Sequence, residues 1–207
     1  LDELSPDTEI VDVSKLPRGR SATQEEINRV IVERALQGKR VVRFKGGDSF
    51  VFGRGYEEAL ACAAAGVPCR VVPGVTSAIS VPAAVGIPVT HRGVAHDFTV
   101  VSGHLPPGHP ESLVAWDALA RLGGTVVLLM AVQNLPQIST ALMEGGRAPT
   151  TPVAVDSEGT MPGERVLLST LGEVAGDVER EAVRPPAIVV VGEVVAVAHP
   201  QRYPWLA

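Results

Sequence analysis

The stretch from residue 41 to residue 55 constrains the fold of this chain more than any other part of its sequence. An apolar run at residues 41–45 ends abruptly at Gly46-Gly47-Asp48, and a helical pattern begins soon after. Glycines at the end of a strand let the backbone approach a ligand closely, because no side chain stands in the way. Ligands of open α/β sheets gather at the carboxyl ends of strands. The stretch therefore predicts a strand–turn–helix unit with a small-molecule site at its turn.

The rest of the chain repeats this alternation of valine-rich and alanine-rich runs. Hydrophobic residues make up 45% of the 207 residues but aromatic residues only 4%, so the core is expected to consist mainly of Val, Ala and Leu. The 21 glycines and 17 prolines imply many short elements. Valine runs bounded by Gly and Pro predict buried strands, and the alanine-rich runs between them predict helices. We expect an α/β architecture.

The predicted elements follow one another in short steps, as in a parallel sheet. A capping box, with Thr23 as N-cap and Glu26 three residues on, starts a helix that ends near Gly38. Strands are predicted at residues 9–13, 41–45, 69–72, 97–102, 125–130, 152–155, 164–168 and 187–192. Further helices are predicted at residues 56–65, 76–85, 112–122, 135–145 and 170–179. The sixth and seventh strands flank a Gly-rich polar loop, which favours antiparallel pairing between them.

A stretch rich in Pro and Gly at residues 103–110 divides the pattern, which starts again beyond it. We expect an N-terminal α/β domain over residues 1–106 and a C-terminal α/β domain over residues 111–207, joined by this linker. No strand precedes residue 1 to begin the first strand–helix unit. The N-terminal domain is therefore expected to be incomplete at its start.

Charge and cysteine content exclude several classes of protein. The formal net charge of −5 disfavours a general nucleic-acid binder. No signal peptide and no apolar run long enough to cross a bilayer is found, so we expect a cytoplasmic protein without membrane contact. Cys62 and Cys69 have no partner pattern and are expected to be free thiols. The histidines lack metal-ligand spacing, and no metal site is predicted.

Four loops that follow predicted strand ends carry the residue types of a binding site. They lie at residues 46–48, 73–77, 130–132 and 156–160. Any one of them taken singly could be an ordinary turn. If the strands are parallel, several of the loops share one rim and line a cleft with backbone amides, hydroxyls and one carboxylate. Such a cleft suits a ligand with an amino-acid end and a sugar end.

Basic residues cluster near the first of these rims. The cluster comprises Lys15, Arg18, Arg20, Arg43, Lys45, Arg54, His91, Arg92 and His104. In an acidic protein, such a cluster indicates an anionic substrate, because arginine binds carboxylates through two parallel hydrogen bonds. The alternative interpretation is that these side chains are solvated at strand edges and in loops.

Several of these motifs together resemble one enzyme family. Gly-Gly-Asp at residues 46–48, Pro-Gly-Val-Thr-Ser at 73–77 and Thr-His-Arg-Gly at 90–93 resemble the uroporphyrinogen-III C-methyltransferases, which have the tetrapyrrole methylase fold. Gln-Glu-Glu-Ile-Asn at 24–28 and the run at 184–195 fit the same pattern. The resemblance extends over nearly the whole chain.

The resemblance implies two α/β domains, with S-adenosylmethionine bound in the cleft between them, in a homodimer. It implies methylation of a small-molecule tetrapyrrole, uroporphyrinogen III, at two ring carbons. The products would be precorrin-2, on the way to sirohaem or cobalamin, and S-adenosylhomocysteine. By position, the cofactor contacts would be Gly46, Gly47, Asp48, Val51, Thr76, Ser77, Met130, Ala131 and Gly159. Lys15 lies where the family has a proposed catalytic proton donor, and the substrate carboxylates are expected to meet Arg18, Arg20, Arg54, His91 and Arg92.

The sequence also departs from the family pattern. Ser49 stands where proline is usual, Tyr56 and Ala131 stand where glycine is usual, and Asp-Ser-Glu-Gly at residues 156–159 replaces Val-Glu-Asn-Gly. The family's first strand and its Gly-x-Gly-Pro-Gly-Asp-Pro loop are absent from the sequence, as is an acidic residue proposed as proton acceptor. Three alternatives therefore remain. The chain could be a methyltransferase of this fold for a later precorrin or ribosomal RNA, a non-catalytic binding module, or the methylase part of a fusion with a dehydrogenase/chelatase domain.

Overall fold

The computed structural model describes residues 4–13 and 22–198. The chain divides into two compact units, Leu1–Gly74 and Val75–Ala207, which we call the first and the second unit. The predicted linker at residues 103–110 falls within the second unit, and the domain limits given above stay a prediction.

The first unit is built around two helices. Helix α1 spans Gln24–Leu36 and α2 spans Gly55–Ala64. The capping box of α1 is confirmed: the Thr23 hydroxyl accepts a hydrogen bond from the Glu26 amide at 3.1 Å, and the Glu26 carboxylate accepts one from the Thr23 amide at 2.8 Å. Glu58 of α2 joins the two helices by accepting a hydrogen bond from the Gln24 side chain of α1 at 3.3 Å.

The strands predicted in the first unit are wrong. Residues 9–13, 41–45 and 69–72 belong to no β-ladder in the described part of the chain. Val42 is 73% exposed and Phe44 is 78% exposed, so these apolar side chains do not pack in a core. A strand is stabilised by backbone pairing and by side chains on neighbouring strands, and β-branched composition alone supplies neither.

The second unit contains a five-stranded sheet and most of the helices. Its strands are β1 (Phe98–Ser102), β2 (Thr125–Leu129), β3 (Pro152–Ser157), β4 (Arg165–Thr170) and β5 (Ala187–Val191). Its helices are α3 (Ser77–Ala84), α4 (Trp116–Arg121), α5 (Leu135–Glu144), α6 (Val174–Arg180) and α7 (Val194–Ala198). All five strands are confirmed to within a few residues. Helix α4 is shorter than predicted, and α7 was not predicted.

The order of strands in the sheet is β1-β2-β5-β3-β4. Strands β1 and β2 are parallel, whereas β5 runs antiparallel to both β2 and β3. The predicted antiparallel pairing of β3 with β4 is confirmed. With these directions, β1, β2 and β3 all end at the same edge of the sheet, which we call the carboxyl edge.

Helices cover both faces of this sheet. Leu128 and Val155 belong to a core cluster with residues of α4, α5 and α6, whereas Val127 and Ala154 belong to a second cluster with residues of α3 and α7. Burial on both faces explains why the strands read as continuous valine-rich runs. Arg147 lies buried at the opposite edge, where its guanidinium donates to the carbonyl oxygens of Leu122, Gly124 and Val191.

Candidate functional site

In the first unit, the Asp48 carboxylate holds two glycine-bearing loops together. One oxygen accepts a hydrogen bond from the Gly74 amide at 3.0 Å, and the other accepts one from the Phe50 amide at 2.8 Å. These hydrogen bonds, that from Gly74 foremost, hold the pKa of Asp48 below its usual value. Asp48 is therefore ionised at neutral pH, and it orders the backbone of the predicted cofactor loop.

The glycines of these loops are required for different reasons. A Cβ atom on Gly74 would lie 2.1 Å from the Gly47 carbonyl oxygen, so only glycine permits this approach of the two loops. Gly47 itself has a φ of 70°, which favours glycine. A Cβ atom on Gly46 would meet no atom of the described residues within 4 Å. The backbone at Gly46 is thus open to a ligand, which fits its prediction as a cofactor contact.

The turn at residues 53–55 packs tightly against Ser49. A Cβ atom on Gly53 or Gly55 would lie within 3 Å of the Ser49 carbonyl oxygen, and Arg54 between them has a φ of 56°. The Arg54 guanidinium forms an ion pair with Glu57 on the first turn of α2. Val51, a predicted cofactor contact, is half-buried in this turn. The geometry gives residues 46–55 one compact conformation, as a preorganised loop requires.

In the second unit, the predicted contacts Thr76 and Ser77 form the start of α3. The Thr76 hydroxyl accepts a hydrogen bond from the Ala78 amide at 3.3 Å, and Thr76 is the N-cap of the helix. This bond uses the hydroxyl as an acceptor and leaves its proton available for donation. Thr76 can therefore cap the helix and contact a ligand at the same time.

Met130 and Ala131 follow β2 at the carboxyl edge and have opposite environments. Met130 has a φ of 57° and is 50% exposed, so its side chain and its strained backbone face outward. Ala131 is fully buried, and a Cβ atom on Gly103 would lie 2.6 Å from the Ala131 methyl group. The methyl group that distinguishes Ala131 from the usual glycine thus lies against Gly103, in the core of this unit.

Gly159 follows β3 at the same edge and contacts helix α3. A Cβ atom on Gly159 would lie 2.4 Å from a methyl carbon of Val81, so glycine is needed there. The loop around Gly159 is held by two hydrogen bonds, from the Glu158 amide to the Pro186 carbonyl at 2.9 Å and from the Thr160 amide to the Glu164 carboxylate at 2.7 Å. The second unit therefore brings Met130 and Gly159 to one edge of its sheet, with Gly159 against α3.

Asp156 was not among the predicted site residues. It lies in β3 just before this edge and is only 3% exposed. Neither of its carboxylate oxygens has a hydrogen-bond partner in the part of the chain that the structure describes. Burial, and next the charge of Glu164, raise the pKa of Asp156 to about 6. The signal in the sequence was a carboxylate directly after the apolar run of β3. Its burial depends on the pairing of β3 with both β4 and β5, and the position of β5 beside β3 was not predicted from the sequence.

The predicted substrate-binding residues lie in different parts of the chain. His91 and Arg92 are exposed in a turn of the second unit, closed by hydrogen bonds between His91 and Ala95. Arg54 belongs to the first unit. Lys15, Arg18 and Arg20 lie outside the described residues. The structure does not test the predicted roles of these side chains.

Within residues 4–13 and 22–198, no group of three or more His, Cys, Asp or Glu side chains could hold a metal ion. No helix within these ranges has the length and apolar character needed to cross a membrane. Cys62 is buried and Cys69 is exposed, and both are free thiols.

Comparisons with known proteins agree with one another. A family model of tetrapyrrole (corrin/porphyrin) methylases matches residues 2–175. A "S-adenosyl-L-methionine-dependent uroporphyrinogen III methyltransferase" of Methanosarcina barkeri is 48% identical over 195 residues, which are 94% of this chain and 76% of that protein. A siroheme synthase of Azotobacter vinelandii is 46% identical over 91% of this chain, but only 40% of its own length is covered.

A solved structure is similar as well. It is the uroporphyrin-III C-methyl transferase of Thermus thermophilus in complex with S-adenosylhomocysteine. It superposes with a TM-score of 0.72 at 45% sequence identity, covering 84% of this chain and 75% of that one.

Proposed function

Because the chain belongs to the tetrapyrrole (corrin/porphyrin) methylase family, we propose that it transfers methyl groups from S-adenosylmethionine to two ring carbons of uroporphyrinogen III, giving precorrin-2. The observation that carries this proposal is the 48% identity, across 94% of the chain, to an enzyme named for this donor and this substrate. Such identity over nearly the full chain distinguishes this activity from the other chemistries that the same fold supports.

The described residues fit the methyl donor. Gly46 has an open backbone in the first unit, and Met130 and Gly159 lie at one sheet edge of the second unit. We propose that these residues hold the cofactor, together with Gly47, Asp48, Val51, Thr76, Ser77 and Ala131. When bound, S-adenosylmethionine supplies an electrophilic methyl group. The chain therefore needs no nucleophile of its own, and its task is to align the reactants and exclude water.

The basic residues are proposed to bind the carboxylates of the substrate. Arg54 keeps about half of its side chain exposed beside Glu57, so part of its guanidinium is free to bind a second carboxylate. His91 and Arg92, which are exposed, are proposed to do the same. Arg18 and Arg20, which lie outside the described residues, are proposed for the same role. Lys15 is proposed to handle the proton that the ring carbon loses after methyl transfer.

Assembly and location are proposed on the resemblance alone. We infer a cytoplasmic homodimer, because the family resemblance implies a dimer that acts on a small-molecule tetrapyrrole. The siroheme synthases among the relatives are much longer, and this chain covers 40% of the one from A. vinelandii. This 40% coverage supports the alternative that the methylase also occurs as one part of a larger fusion enzyme.

The test is an anaerobic incubation of the purified chain with methyl-labelled S-adenosylmethionine and uroporphyrinogen III. We expect label in a tetrapyrrole that has gained two methyl groups, identified by mass spectrometry. A parallel reaction with coproporphyrinogen III, which has fewer carboxylates, checks that the carboxylates are recognised. Label only in a later precorrin or in RNA would replace the proposed substrate. Cofactor binding without any transfer would indicate a non-catalytic module.

A further inference from the structure

The described residues leave the carboxylate of Asp156 without a compensating charge or hydrogen-bond donor. Among residues 4–13 and 22–198, it is the one carboxylate with both oxygens buried and without a hydrogen-bond partner. An isolated carboxylate away from water is costly unless a positive group or donors approach it. A ligand with a positive charge is one way to supply that compensation.

Within the described residues, the surroundings of Asp156 offer no such group. In the sheet register, Asp156 pairs with Ile188 on β5 and with Val166 on β4, and Ile188 pairs in turn with Leu129 on β2. This row of side chains is apolar apart from Asp156. Helix α3, which packs on the same face as Ala154, contains no charged residue. The loop that follows β3 contributes Glu164, whose charge is also negative.

The same row of residues lies next to the proposed cofactor contacts of the second unit. Leu129 precedes Met130, and Asp156 lies three residues before Gly159. Two strand spacings separate Leu129 from Asp156 across the sheet, which is roughly 10 Å. A ligand that contacts both Met130 and Gly159 therefore lies within about that distance of the Asp156 carboxylate.

We propose that Asp156 is a specificity-determining residue that favours the positively charged methyl donor over its demethylated product. This inference rests on the proposed function. S-adenosylmethionine has a sulfonium group, whereas S-adenosylhomocysteine has an uncharged thioether, so the two ligands differ by a methyl group and one positive charge. A poorly solvated carboxylate about 10 Å away should favour the cation roughly tenfold. Loss of the charge on methyl transfer then weakens binding and assists release of the product.

The test compares the dissociation constants of the two ligands by isothermal titration calorimetry, with no tetrapyrrole present. The wild-type chain, Asp156→Asn and Asp156→Val are measured at pH 8. In both variants we expect the preference for S-adenosylmethionine over S-adenosylhomocysteine to fall roughly tenfold. Asp117→Asn is the matched control, because it removes the same charge from an exposed residue of α4 that is paired with Arg121. Its preference should equal that of the wild type.

Three outcomes would overturn the inference. The first is an unchanged preference in both Asp156 variants, and the second is an equal loss of affinity for both ligands, which a purely structural role predicts. The third is the same change of preference in Asp117→Asn, which would indicate a general effect of net charge. A circular dichroism spectrum of each variant confirms that it is folded. Failure of the wild-type chain to bind either ligand would instead overturn the proposed function, and this inference with it.

Discussion

The first unit exposes the side chains of its valine-rich segments, whereas the second unit buries similar segments on both faces of a sheet. Val42 and Phe44 are largely exposed, but Val126, Val127 and Leu128 of β2 are almost completely buried. These segments have similar composition, so composition does not decide the outcome. Each central strand of the second unit has hydrogen-bonded neighbours on both sides and helices on both faces. An apolar run therefore forms a strand where neighbouring strands pair with it and helices cover it.

The two units do resemble each other in how they build loops. In both, a glycine permits an approach that a Cβ atom would block, at Gly74 in the first unit and at Gly159 in the second. In both, a carboxylate holds the loop by accepting a hydrogen bond from a backbone amide: Asp48 accepts one from Gly74 in the first unit, and Glu164 accepts one from Thr160 in the second. The proposed cofactor loops are thus ordered locally in each unit, with or without a sheet.

The difference in burial between the two units is tested most strongly by truncating one apolar side chain in each unit. Leu128→Ala leaves a cavity in the core of the second unit and should lower its free energy of unfolding by about 2–5 kcal/mol. Phe44→Ala removes a larger side chain from the first unit but should change stability by no more than about 0.5 kcal/mol, because Phe44 is exposed. Urea unfolding followed by tryptophan fluorescence, to which the buried Trp116 contributes, measures the first effect.

The small effect expected for Phe44→Ala is checked by hydrogen exchange of residues 41–45. Rapid exchange in both the wild type and Phe44→Ala would agree with an unpaired segment. Slow exchange in the wild type, together with a large cost for Phe44→Ala, would contradict the difference between the units.

The next largest effect concerns the buried charge of the second unit. The pKa of Asp156 in the folded chain, about 6, lies above the usual value for aspartate. The folded state therefore prefers the protonated form of Asp156, so the contribution of this residue to stability is greatest below about pH 4 and falls as the pH rises through about 6. Asp156→Val should remove this fall and stabilise the second unit by about 2 kcal/mol at pH 8.

Thermal denaturation at several pH values checks this prediction. The wild-type and variant midpoints should converge near pH 4 and separate above pH 6. Asp117→Asn serves as control, because the hydrogen bond from Arg121 holds the pKa of Asp117 below its usual value. A variant midpoint that follows the wild type at every pH would show that Asp156 is not the group that titrates.

A smaller effect is expected from the carboxylate of the first unit. Asp48→Ala removes the acceptor for the amides of Gly74 and Phe50, which should loosen both loops and weaken S-adenosylmethionine binding by about tenfold. Glu33→Gln, on the exposed side of α1 and paired with Arg29, is the control and should bind normally. Calorimetric titration compares the three chains. Equal affinity in Asp48→Ala would show that these loops do not order the cofactor site.

Local patterns in the sequence predicted the parts of the fold that depend on neighbouring residues. The capping box at Thr23, helix α2 and all five strands of the second unit are confirmed. The sequence could not show which runs find partners, so it placed strands in the first unit that do not form. It also missed α7, because Val194–Ala198 reads as a continuation of the apolar run of β5.

The same distinction applies to the candidate site. The glycine loops were predictable, because a glycine at the end of an apolar run is a local signal. The environment of Asp156 was not, because its burial depends on Ile188 and Val166, which are distant in sequence. The hydrogen bond between Asp48 and Gly74 likewise joins residues 26 positions apart. Sequence patterns thus located the loops, and the structure was needed to show which side chains order them.

The smallest predicted effect asks whether the two units are stabilised independently. Thr23→Ala removes the N-cap of α1 and should cost about 1 kcal/mol. Hydrogen exchange at the first amides of α1 should then accelerate by about threefold to tenfold, as expected for such a loss of stability. Amides of the second-unit sheet, such as those of Val127 and Val190, should be unaffected if each unit has its own stability. Faster exchange there would show that the capped helix of the first unit also supports the sheet of the second.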